Sequence, residues 1–301
     1  MNKVKGELFL SLTTIIWGIS FVFQSSATEF LGAFTFNGIR FLLGSLSLIP
    51  LLIPRIKGGK INYRQCICLG VIIGIFLCIG SNLQQIAISY TSVGKAGFIT
   101  ALYMIFVPVL GYILYKDNIS KILIIAICIA VVGLFLLCGA DFSFNLSDIL
   151  LLLTALSFAM QIIFIGKYGK ELDAIFVSFV EYLVCTILSL IIGLFIEDMN
   201  FVNILNASHS LLFTGVMSTG VAYTLQMIGQ KDCPSTIASL ILACESLVSA
   251  LAGWVVLNQS LSVSELIGCL LMFIAIILSQ IDYKPKISGL TKKINKNTFN
   301  N

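Results

Sequence analysis

Ten apolar stretches follow one another along the chain, and the last five echo the first five at a nearly constant offset. Five is an odd number. A five-span unit followed by its own copy must enter the membrane from the opposite side, which relates the two halves by an inverted topology. The stretches cover residues 7–26, 33–53, 66–89, 95–115, 121–139, 147–167, 174–196, 208–229, 234–257 and 263–281. Crossing a hydrocarbon core ~30 Å thick takes ~20 apolar residues of helix. Membrane barrels use ~10-residue alternating segments instead, and these runs are too long and too continuous for that. Hydrophobic residues make up 58% of the chain and charged residues 11%, with a mean hydropathy of +1.03. A soluble domain carries ~25% charged residues. The expected fold is an all-α polytopic membrane protein. It has ten transmembrane helices as two inverted five-helix repeats, with N- and C-termini cytoplasmic. The expected units are residues 1–140, residues 141–282 and a basic cytoplasmic tail, 283–301.

Charge placement supports that span count. With the N-terminus inside, 16 of the 18 Lys and Arg residues fall on cytoplasmic segments, as the positive-inside rule requires. The exceptions are Arg40, inside span 2, and Lys95, at the outer start of span 4. Glu29, Asp141, Asp148, Glu197, Asp198 and Glu265 fall on the outer loops. The net charge of +4 is thus a topology signal, and no nucleic-acid partner is expected. Lys3 and Lys5 before an apolar run also resemble a signal peptide, but the run is long and leads into nine more spans.

The nine cysteines contain no C-x-x-C pair, and the single histidine, His209, lies near the outer surface. Neither a metal site nor any other cofactor is expected. No G-x-x-x-x-G-K-[S/T] motif occurs, so this chain is not expected to use ATP. A membrane-embedded enzyme would need clustered acids, bases or metal ligands within the spans. None is clustered there, and no catalytic residue is assigned.

The internal repeat is legible residue by residue. At an offset of 142, Leu83-Gln84 matches Leu225-Gln226, Ile99 matches Ile241, Ala101 matches Ala243 and Gly111 matches Gly253. Gly97, Ala101, Met104, Pro108 and Gly111 form a helical stripe on span 4. Ser239, Ala243, Ser246, Ala250 and Gly253 form its counterpart on span 9. Small stripes let helix backbones approach closely in lipid. Spans 4 and 9 are therefore expected to face each other, or a cavity, across the pseudo-symmetry axis.

Several local patterns combine with this repeat. They are Trp17-Gly18, Arg40-Phe41, Gln84-Gln85-Ile86-Ala87, Lys95-Ala96-Gly97-Phe98, Val107-Pro108, Glu245-Ser246 and Gly253-Trp254. Together they resemble an EamA-type transporter of the drug/metabolite transporter superfamily. The resemblance covers essentially the whole chain and implies one five-helix repeat in 1–140 and a second in 141–282. It also implies a central cavity and export of small metabolites. One departure is visible. The family often closes spans 4 and 9 with Gly-Glu, where this chain has Lys116-Asp117 and Asn258-Gln259.

Three charged side chains sit well inside spans: Arg40, Glu181 and Glu245. A charge at the bilayer centre costs ~2.5–3.5 kcal/mol on insertion scales, so each needs a partner, water or a proton. Glu245 lies about 17 Å into span 9 at 1.5 Å per residue, near the midplane where transporter sites lie. It is the leading candidate for substrate binding or coupling, with structural hydrogen bonding as the competing role. Gln84, Gln226, Asn82, Tyr103 and Tyr223 offer uncharged donors and acceptors in the spans assigned to the cavity. Trp17 offers a stacking surface. Lys95 either anchors the outer end of span 4 or attracts an anionic group. Arg40 and Glu181, at equivalent places 141 residues apart, are expected to be structural in-membrane charges. Pro108 is expected to loosen span 4, and Pro234 to start span 9.

The function expected from these features is secondary transport, with export of small polar metabolites such as amino acids across the cytoplasmic membrane. One repeat would rock against the other around a site between spans 3, 4, 8 and 9, with proton or substrate-gradient coupling as the expected drive. The expected partners are a small-molecule substrate and the lipid bilayer, for a monomer or homodimer. The alternative is a non-transporting membrane scaffold or sensor protein.

Overall fold

Long apolar runs become helices because a backbone in hydrocarbon must satisfy its own polar groups. The structure, a computed structural model, describes residues 3–59, 61–91, 93–117, 119–138, 145–257 and 262–281. The expected tail 283–301 lies outside the described residues, as do Lys60, Asp141 and the Asn258-Gln259 pair. Among the described residues there is no strand. The helices of the first half are α1 (Lys3–Ala27), α2 (Ala33–Lys57), α3 (Tyr63–Ile88), α4 (Val93–Ala101), α5 (Tyr103–Tyr115) and α6 (Lys121–Cys138). Those of the second half begin with α7 (Leu146–Tyr168), α8 (Ala174–Ile196), α9 (Phe201–Asn206) and α10 (Ser208–Leu212). A π-helical segment (Phe213–Tyr223) follows, then α11 (Thr224–Gly229), α12 (Ser235–Leu242), α13 (Glu245–Leu257) and α14 (Val263–Ile281). Among the described residues, seven helical stretches are long and apolar enough to cross a membrane. Three shorter apolar helices, Lys121–Leu136, Ser235–Ser249 and Leu266–Ser279, accompany them.

Three expected spans are not simple helices. Span 4 breaks at Leu102, between α4 and α5, and span 9 breaks between α12 and α13. The two breaks are built alike. Leu102 N–H donates to Ile99 O at 3.2 Å, and Cys244 N–H donates to Ile241 O at 3.2 Å. Each is a tight i→i+3 bond inside an α ladder, and the two lie 142 residues apart. Span 8 instead widens into the π segment, which holds Gly215 and Gly220. Pro234 sits directly before α12, where its missing N–H costs no helix bond.

The two halves interleave rather than stand side by side. α1 packs on the π segment, α11, α12 and α13. α2 packs on α8 and the π segment, α3 on α7 and α8, and α6 on α14. α4 packs on α13 and α5 on α12, so the two broken helices cross. Close approach depends on glycine at selected points. A Cβ on Gly18 would lie 2.5 Å from Val248 Cβ and 2.8 Å from Glu245 O, inside contact distance.

Polar clamps join the halves at the helix ends. Lys95 Nζ pairs with Asp148 at 2.9 Å, and Lys167 Nζ with Asp117 Oδ1 at 2.7 Å. Arg55 pairs with Asp173 at 2.6 Å. At the other end of α2, Glu197 accepts from Phe34 N–H at 3.0 Å and Thr35 N–H at 2.8 Å. That carboxylate supplies the N-terminal cap that Gly32 lacks. Lys116 ends α5 with φ at +55°, the left-handed geometry that glycine adopts most easily. This explains a glycine at that place in the family pattern. The following acid survives here as Asp117, paired with Lys167.

Two outcomes follow for stability in detergent. Gly18→Ala should cost about 1–3 kcal/mol by overpacking α1 against α13. Gly97→Ala should be near neutral, because its Cβ would meet Ser246 at an ordinary 3.8 Å or more. Thermal unfolding of the two variants compares them. Lys95→Met strands the buried Asp148 and should cost about 1–3 kcal/mol. Arg55→Met should cost no more than about 1 kcal/mol, since the Arg55 side chain is 48% exposed.

Candidate functional site

The breaks in span 4 and span 9 place Tyr103 and Glu245 at the starts of α5 and α13. These residues are 142 apart and occupy the same place in the two repeats. They also touch each other. The Tyr103 hydroxyl donates to Glu245 Oε1 at 3.2 Å. The contact thus joins equivalent positions of the two family matches. Tyr103 and Glu245 are both buried.

An enclosed cavity opens beside this contact. Its polar lining is Gln24, Arg40, Gln84, Gln161, Ser218, Gln226 and Glu245. Its aromatic and aliphatic lining is Trp17, Phe21, Tyr103, Phe158, Ile162 and Tyr223. Both repeats contribute. The space open to the centre of a water-sized sphere is about 20 Å³, and one water needs about 10–15 Å³ on that measure. That is room for a single water and too little for a metabolite in this conformation.

Arg40 reaches the cavity from α2. Its Nε donates to Thr219 Oγ1 at 3.1 Å, Nη1 to Gln24 Oε1 at 3.1 Å and Nη2 to Ser218 Oγ at 2.9 Å. Arg40 is only 3% exposed, and among the described residues no carboxylate forms an ion pair with its guanidinium. A buried cation with neutral partners keeps a strong preference for an incoming anion. The π segment makes this seat. It presents Ser218 and Thr219 side by side to Arg40, and its Ser218 carbonyl accepts from Trp17 Nε1 at 3.2 Å. Trp17 packs on Tyr223 with ring centroids 4.5 Å apart.

Amide side chains complete the wall. Gln84 Nε2 donates to Thr100 Oγ1 at 3.2 Å. Gln226 Nε2 donates to Gln161 Oε1 at 3.3 Å, and Gln161 Nε2 to Glu181 Oε1 at 2.7 Å. Gln226 Oε1 is buried without a partner.

Six of the eight candidate substrate or coupling residues thus meet at one cavity: Glu245, Gln84, Gln226, Tyr103, Tyr223 and Trp17. The other two lie elsewhere. Asn82 knits α2, α3 and α8, donating to Cys78 O and Ser189 Oγ at 2.8 Å and accepting from Asn37. Lys95 is held by Asp148 at the end of span 4. Of the two residues expected to be structural, Arg40 lines the cavity, and Glu181 reaches it through Gln161. Gln24, Gln161, Phe21, Phe158 and Ser218 were not singled out from the sequence. Gln24 and Gln161 carry the signal that marked Gln84 and Gln226, a primary amide within an apolar run. Outside the spans, burial pushes the Lys231 ammonium below the usual lysine range, and it donates to Leu172 O.

Comparisons with known proteins place this site in a family. The EamA-like transporter family model matches twice, over residues 4–139 and 145–280. An uncharacterized transporter of Archaeoglobus fulgidus is 30% identical over 278 residues, covering 92% of this chain and 86% of that protein. The uncharacterized transporter YvbV of Bacillus subtilis is 25% identical over 287 residues, covering 92% of each. A crystal structure of another protein superposes with a TM-score of 0.74 at 15% identity, over 90% of this chain and 95% of that one. That likeness is one of fold. Two family matches spanning nearly the whole chain, on a bundle of apolar helices with a shared central cavity, identify a multi-pass membrane protein that belongs to the EamA-like transporter family.

Proposed function

We propose that the chain is a secondary transporter that exports small polar metabolites such as amino acids across the cytoplasmic membrane by alternating access. Its ten spans form two inverted five-helix repeats, 1–140 and 141–282, with both termini and the 283–301 tail in the cytoplasm. The observation that carries this reading is the small cavity beside the crossing of the two broken helices. It holds a guanidinium and a carboxyl within aromatic walls. Arg40 suits a carboxylate, because its present partners are neutral oxygens. Glu245 suits an ammonium, because among the described residues its carboxyl accepts a side-chain hydrogen bond from the neutral Tyr103 hydroxyl and from no cation. Trp17, Phe21 and Phe158 suit a side chain or methylene stem. A zwitterion satisfies both charges at once and leaves neither buried alone.

Discontinuous helices beside a central site are the parts that alternating access uses. Because the halves interleave, the moving bodies are sets of helices drawn from both repeats. The Glu245 carboxyl takes either the ammonium of a substrate or a proton, which couples the two.

Thermal stabilisation by a panel of L-amino acids tests the binding step. A compound at 100 times its Kd should add about 2.7 kcal/mol of stability. At least one zwitterion should do so, while its decarboxylated amine and its deaminated acid should do so far less. Glu245→Gln should abolish most of the shift. A full shift in that variant, or equal shifts from the amine and the acid, would refute the assignment.

A further inference from the structure

Glu181 sits outside the cavity lining yet is wired to it. Gln161 and Gln226 line the cavity, and Glu181 does not. Gln161 Nε2 donates to Glu181 Oε1 at 2.7 Å. Gln226 Nε2 donates in turn to Gln161 Oε1. The chain ends at Gln226 Oε1, which has no partner although Gln226 is only 1% exposed. Among the described residues no basic side chain pairs with Glu181. Tyr182 on its own helix and Tyr223 in the π segment interact electrostatically with Glu181. Arg40 on α2 and Glu245 on α13 act on the same Tyr223, and Cys185 on α8 interacts with Cys78 on α3 and with Arg40.

A primary amide has a donor end and an acceptor end, whereas a carboxylate only accepts. A row of amides therefore has a sense, and the carboxyl at its end sets it. Ionised Glu181 draws the NH₂ of Gln161, so the Gln161 oxygen faces Gln226. That takes up the Gln226 NH₂ and leaves the Gln226 oxygen unpaired, which is the arrangement seen. Protonated Glu181 can donate its O–H to Gln161 Oε1. Gln161 then presents NH₂ to Gln226 Oε1, and Gln226 turns its own NH₂ outward.

We propose that Glu181, Gln161 and Gln226 form a hydrogen-bond relay in which protonation at Glu181, outside the cavity, switches the cavity wall at Gln226 from acceptor to donor. The proton binds and leaves at Glu181 alone, and the amides only rotate. For solutes, the consequence rests on the transport reading given above. An acceptor wall favours a substrate ammonium, and a donor wall opposes it. Proton entry at Glu181 thus promotes release of the ammonium-bearing solute, the arrangement a proton antiporter needs.

The relay is testable without any solute. Infrared difference spectra across pH would be recorded on the purified full chain in lipid bilayers. Glutamine would be labelled with ¹³C at its side-chain carbonyl. The wild type should show a carboxylic C=O band that is lost in Glu181→Gln, together with a shift of labelled amide bands. Gln161→Met should keep the carboxyl band and lose the amide shift. Gln226→Met is a second, independent cut and should reduce that shift. Thermal unfolding of each variant confirms that it is folded. Identical spectra from wild type and Glu181→Gln would overturn the proposal, as would an amide shift that survives both cuts. A relay found in a chain that moves no amino acid would sink the transport reading and leave the relay standing. Transport without the relay would do the reverse.

Discussion

The hydrogen bond from the Tyr103 hydroxyl to Glu245 Oε1 joins the two halves where their broken helices cross. Much of the architecture follows from what it takes to put that contact there. A carboxyl in hydrocarbon is costly, so it must be enclosed by protein. Enclosure requires α4 and α5 to meet α12 and α13, and α1 to close over the join. Gly18 permits that closure by bringing α1 against the Glu245 carbonyl.

Around that point the polar side chains form two networks of opposite character. The Arg40 network fans one cation onto the neutral oxygens of Gln24, Ser218 and Thr219. The Glu181 network leads one carboxyl through two amides to the cavity. Arg40 and Glu181 are counterparts in the repeat, so a doubled scaffold carries a cation in one copy and an acid in the other. That sign change puts the cation in the cavity lining and the acid outside it, joined to the cavity through Gln161.

Much of the helix pattern was readable because seven of the described helical stretches are long apolar runs, a signal that needs no knowledge of packing. The offset of 142 was readable for the same reason, and it placed Tyr103 and Glu245 in register. Their contact was not readable, since a repeat in sequence does not say which copies touch. The helix breaks also escaped notice. Nothing in Ala101-Leu102-Tyr103 or Ala243-Cys244-Glu245 is a helix breaker, so tertiary packing decides them. The π segment had a weak local signal in Gly215, Ser218, Thr219 and Gly220. Gln24 and Gln161 were overlooked because spans 1 and 6 were not assigned to the cavity. Lys95 and Asn82 were polar in the right spans but on other faces, which a one-dimensional reading does not separate.

The most direct test of the central claim is flux. Purified protein in sealed proteoliposomes would be given a radiolabelled amino acid chosen by its thermal stabilisation of the chain. The account predicts accumulation against an excess of the same unlabelled amino acid trapped inside, well above that of protein-free vesicles, and loss of it in Gln84→Trp, which fills the cavity. Accumulation no greater than in empty vesicles, from protein that still binds the amino acid, would contradict it.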